Sequence, residues 1–150
     1  MPSQKELVIA RAGGCCEYCL SQLHFSPDPF SVEHILPVVK GGGDDLDNLA
    51  LSCQGCNNHK YTHTSAIDPV TGRPAPLYHP RRDHWVEHFA WTDNCERLIG
   101  LTPTGRATIA RLYLNRPGVM NLRNALYALG RHPPNIPAIA DSEIDAMDTE

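Results

Sequence analysis

The amino-acid sequence points to one α+β domain. Two short, strand-like apolar runs lie before residue 53, and two Cys-x-x-Cys pairs enclose them. Two amphipathic patterns of helical period follow after residue 103. With 150 residues, 41% of them apolar, the chain suits one compact core and is short for two. That composition excludes disorder throughout, and collagen-like or coiled-coil character. No apolar run approaches the roughly 18 residues of a membrane helix, so no membrane partner is expected. Met1 to Ala12 lacks the basic region, long apolar stretch and cleavage site of a signal peptide. The chain therefore reads as cytoplasmic, and its six cysteines as metal ligands in place of disulfides.

Taken in order, Ser3 is placed to cap a helix over Lys5–Ala12, which Gly13-Gly14 would end. Cys15 to Leu20 reads as a tight cysteine turn, and Ser26-Pro27-Asp28-Pro29 as loop. Phe30–Leu36 and Leu46–Ser52 read as strands, separated by the flexible turn Gly41-Gly42-Gly43-Asp44-Asp45. Asn57 to Thr64 allows a helix. Residues 68–82, with four prolines at 69, 74, 76 and 80, read as an irregular connector. Asp83–Ala90 fits a strand or a helical turn equally. Helices are expected over Thr104–Asn115 and Val119–Leu129, with Ile109, Leu112, Leu122, Leu126 and Leu129 on their apolar faces. The chain thus divides into a core (residues 1–64), an extension packed on it (65–131) and an acidic, flexible tail (132–150).

The net charge of −4 hides an asymmetry. Residues 97–131 hold six arginines and no acid, while the tail holds five acids and no base. Long stretches of one sign attract polyanions by counterion release, without reading sequence. Lys60, Arg81, Arg82, Arg106 and Arg111 are the candidate contacts to a nucleic-acid backbone.

Cys16-Glu17-Tyr18-Cys19 and Cys53-Gln54-Gly55-Cys56 are matched pairs. Each such turn presents two thiolates to a tetrahedral Zn²⁺, and two turns close the site without leaving an open position. The expected zinc is therefore structural, joining the N-terminal turn to the central segment. Cys15 and Cys95 are left over.

Between the pairs lie Glu33-His34-Ile35-Leu36-Pro37, the glycine turn and Asn48-Leu49, and the second pair runs on into Asn57-Asn58-His59-Lys60. A neutral imidazole can take a proton from water near pH 7, and carboxylate and amide oxygens are hard ligands suited to Mg²⁺ or Mn²⁺. These residues resemble the HNH endonuclease family, in its zinc-containing branch. The resemblance implies a ββα-metal core, with two antiparallel strands and a helix. It implies His34 as general base, Asn48 as the residue holding the base-bearing loop, and Glu33 and Asn57 as ligands of the catalytic cation. It further implies hydrolysis of double-stranded DNA to 5′-phosphate and 3′-hydroxyl ends. Two departures stand out: Glu33 replaces the more usual Asp, and Asn57 the more usual His, which favours Mg²⁺ or Mn²⁺ over a later transition metal. The competing reading is a zinc-containing module that binds nucleic acid without cutting it. No oligomeric state is fixed by the sequence, with a monomer favoured. His59 and His63 read as exposed helix surface, and the His84/His88 spacing alone carries no chemistry.

Overall fold

The computed structural model describes residues 1–135. The five acids of the expected tail fall at 141 and beyond, outside the described residues. The start of that stretch is ordered against the core: His132 is buried, its Nε2 lies 2.8 Å from the Cys95 carbonyl, and its ring packs edge-on to Trp91.

Helix α1 spans Gln4–Arg11, and Ser3 caps it by accepting from the Glu6 amide at 3.1 Å. Gly13 and Gly14, both at positive φ, turn the chain out of it into the cysteine knuckle. Strand β1 (Ser31–His34) pairs antiparallel with β2 (Leu49–Ser52), with Glu33 opposite Ala50 and His34 opposite Leu49. Both strands are shorter than their apolar runs. Leu46–Asn48 form a 3₁₀ turn that closes the intervening loop, so β2 starts only at Leu49. Arg11 donates to the carbonyls of Leu46 and Leu49 and so fastens α1 to this junction.

Helix α2 spans Gln54–Lys60, beginning three residues before the expected Asn57. Cys53 caps it, its Sγ accepting from the Cys56 amide, so the second cysteine pair is itself the first helical turn. Within the expected connector, β3 (Ser65–Ile67) and β4 (Pro74–Pro76) form a hairpin. Pro74 and Pro76 face solvent on this isolated ribbon, where the missing amide does not interrupt a wider sheet. The ambiguous segment is helix and strand in turn: α3 (Trp85–His88) runs into β5 (Phe89–Trp91), which pairs with an unexpected β6 (Leu98–Gly100). Helices α4 (Pro103–Leu112) and α5 (Pro117–Ala128) complete the chain, each with proline in its first turn, where no amide partner is lost.

One continuous core joins both halves. Val8, Tyr18, Phe30 and Leu51 pack with Tyr78, Trp85, Phe89, Leu98 and Leu112. No helix among the described residues is long and apolar enough to cross a membrane.

The hairpin of β3 and β4 is anchored to α4 through buried Asp68, which Arg106 grips with two bonds of 2.9 and 2.8 Å. The guanidinium holds the Asp68 carboxyl far below the ordinary carboxylate range, against the opposing effect of burial. A depressed carboxyl stabilises the fold above its unfolded-state value of about 3.9, and that contribution fades as pH falls toward the folded-state value. Asp68→Asn is therefore expected to melt below the wild type at pH 7, with the gap narrowing below about pH 4. Melting curves across pH 2–7 check this, and a gap independent of pH overturns it.

Candidate active site and metal centre

The four sulfurs of Cys16, Cys19, Cys53 and Cys56 lie within 4.8 Å of one another, and all four residues are buried. Sulfurs about 2.3 Å from a zinc ion stand about 3.8 Å apart along a tetrahedral edge. The Cys19 and Cys53 sulfurs are 3.7 Å apart, so the cluster fits that ion. Burial pushes the Cys16 thiol well up, whereas hydrogen bonds from the neighbouring thiols pull Cys19 well down. Cys15 stands outside the cluster, its Sγ 3.6 Å from the Gly13 carbonyl.

A basic group that sequence reading did not place completes this centre. Arg116, from the turn before α5, sets Nη2 3.3 Å from the Cys53 sulfur and Nη1 3.7 Å from that of Cys56. Burial alone would lower this guanidinium's pKa, but the thiolates of Cys56 and Cys19 outweigh it and raise it. The approach requires glycine at 55, because a Cβ there would stand 2.5 Å from Arg116 Nη2.

The strand pleat sends Glu33 and His34 to opposite faces of the β1–β2 hairpin. His34 faces outward, 31% exposed, with Nε2 2.7 Å from Asp44 Oδ1. Asp44 comes from the glycine turn, and nothing in the sequence marks it as the histidine's partner. Asn48 pins the same loop. Its Oδ1 accepts from the Leu36 amide at 2.8 Å, and its Nδ2 donates to the carbonyls of Leu36 and Gly43 at 3.0 and 2.9 Å. Gly42 crosses so near that a Cβ would meet the Leu36 carbonyl oxygen at 1.7 Å.

Residues 16–63 match the HNH endonuclease family. The match covers about a third of the chain, from the first cysteine pair to just past α2. No curated protein and no solved structure matches the chain.

Within the matched segment, Glu33 is 5% exposed and both its oxygens are engaged. The Tyr18 hydroxyl donates to Oε1, and Lys60 Nζ stands 3.2 Å from Oε2 and 3.0 Å from the Ile35 carbonyl. Burial raises the Glu33 carboxyl from its ordinary value, against the opposing pull of Lys60 and Tyr18. Glu33 thus meets Lys60 where the sequence reading set a cation shared with Asn57. Asn57 lies one turn before Lys60 on the same side of α2, and its side chain makes no hydrogen bond among the described residues. Carboxylate, carbonyl and amide oxygens are a donor set that suits a hard divalent cation, and the ammonium of Lys60 is the group such an ion would displace.

The proposed backbone contacts divide sharply. Lys60 is buried on Glu33, Arg81 is paired with Glu17, and Arg106 grips Asp68, so none of these three is free for phosphate. Arg82 is exposed and borders a cavity of about 510 Å³ beside Asn48 and Lys60, but Asp45, Asp47 and Asp83 line it too. Arg111 remains on the surface. The arginine-rich stretch is also less available than its charge suggests. Arg116 lies on the thiols, and buried Arg123 donates to the carbonyls of Glu96, Cys19 and Leu114.

Proposed function

We propose that the chain is a divalent-metal-dependent endonuclease that hydrolyses phosphodiester bonds of DNA. One observation carries this reading: in a segment matching HNH endonucleases, the imidazole of His34 is open to solvent and hydrogen-bonded to Asp44. With its Nε2 proton donated to Asp44, His34 has the Nδ1 lone pair free to accept a proton from water. The carboxylate holds that tautomer and steadies the imidazolium that follows, as in other carboxylate–histidine pairs. Asn48 fixes the loop that carries Asp44, so the base and its partner keep their register. Glu33 and Asn57 are the residues that would hold Mg²⁺ or Mn²⁺, Lys60 yielding its contact with Glu33. When bound, such an ion stabilises negative charge developing on phosphate and leaving oxygen. In the same reading the buried thiol cluster holds zinc as a structural ion, which keeps the β1–β2 hairpin and α2 in place.

A zinc-stapled module that binds nucleic acid without cutting is the second reading. The engagement of both Glu33 oxygens favours it, since the carboxylate is already neutralised by Lys60, and so does the place of Glu33 on the hairpin face opposite His34. Supercoiled plasmid separates the two. Nicking with Mg²⁺ or Mn²⁺ and none in metal-free buffer is the expected result, and intact plasmid across the divalent series favours the binder.

A further inference from the structure

Helices α2 and α4 end side by side, and each ends on a tyrosine held at positive φ: Tyr61 at 51° and Tyr113 at 52°. Bulky side chains seldom adopt that backbone, and here it turns both rings outward, 73% and 62% exposed. His59 packs against Tyr113 with ring centroids 5.0 Å apart, and Tyr61 lies 6.5 Å from His63. Arg111 joins the group, its Nε donating to the His59 carbonyl at 3.2 Å. Partial burial, then Arg111, Lys40 and Lys60, depress the pKa of His63. Lys40 belongs to the loop that follows His34, so this face borders the candidate active site.

We infer that this aromatic and basic face holds a single-stranded segment of DNA, its unpaired bases stacking on Tyr61 and Tyr113 and its phosphates meeting Arg111 and Lys40. A base has an open π-face only when it is unpaired, because a duplex keeps those faces covered by its neighbours. Exposed rings interleaved with cations therefore favour single strands, whereas cations alone would serve either form. The inference rests on the nuclease reading and adds a substrate preference to it.

The test uses the full chain as His34→Ala, so that bound DNA stays intact, with fluorescence anisotropy on a labelled oligothymidylate and on a duplex of equal length. Adding Tyr61→Ala and Tyr113→Ala should weaken single-strand binding roughly tenfold or more while leaving duplex binding within about twofold. Tyr61→Phe with Tyr113→Phe should restore single-strand binding, because the rings remain. Equal losses on both DNAs, no loss on the single strand, or failure of the phenylalanine pair to restore binding each overturns the inference. A chain that nicks plasmid yet binds single strands no better than duplex defeats this inference alone, while one that never nicks defeats the nuclease reading first.

Discussion

Cys56→Ser is expected to lose the bound zinc and, with it, the fold. Structural zinc contributes on the order of 10–16 kcal/mol in small zinc domains, while a domain of this size is stable by only about 5–15 kcal/mol. The cluster lies between the cysteine knuckle and the start of α2, and Cys16, Cys19, Cys53 and Cys56 are all part of the buried core. Losing one thiolate therefore removes a metal ligand and disturbs the packing of both halves. Cys15→Ser is the internal control: its sulfur lies outside the cluster, so one zinc per chain and the native circular dichroism should survive. Metal analysis beside far-ultraviolet circular dichroism reads both variants. A Cys56→Ser chain that keeps stoichiometric zinc and a cooperative melt would sink the structural-zinc assignment.

His34→Ala is expected to cut plasmid nicking by about 10²–10⁴-fold, the usual contribution of a positioned general base. The imidazole is partly exposed, and its one side-chain partner, Asp44, is itself on the surface, so the melting temperature should hardly change. Asp44→Asn should cost less, because the imidazole remains and only its orientation and the charge beside it are lost. Initial nicking rates at saturating Mn²⁺ separate the two, and wild-type rates from His34→Ala would remove the residue from the chemistry.

What could be read along the chain was local. The Ser3 cap, the glycine pair after α1, the matched cysteine turns and the first strand each depend on residues within a few positions of one another. What stayed hidden depends on partners far away. Glu33 meets Lys60 across 27 positions, and no spacing rule links them. The arginine-rich stretch has a visible sign, but Asp68, the thiols and the carbonyls that engage Arg106, Arg116 and Arg123 come from other parts of the fold. Counting charge measures sign and not pairing. Prolines 74 and 76 concealed the hairpin of β3 and β4 because proline is adverse in a wide sheet, and a two-stranded ribbon escapes that rule. Cys53 concealed the start of α2 because a cysteine is not an expected cap, although its sulfur fills that role here.

The guanidinium of Arg116 on the Cys53 and Cys56 sulfurs has a bearing on how the molecule can be dissected. A zinc ion with four thiolates carries about two negative charges in excess, and a buried centre of that kind needs a counter-charge close by. Here that counter-charge comes from a stretch of chain more than fifty residues beyond the last ligand, at the threshold of α5. A fragment trimmed after α2 would keep every ligand yet leave the centre electrically bare and open to solvent. The smallest autonomous unit of this protein is therefore expected to extend at least to the start of α5, well past the segment that carries the cysteine cluster and the histidine.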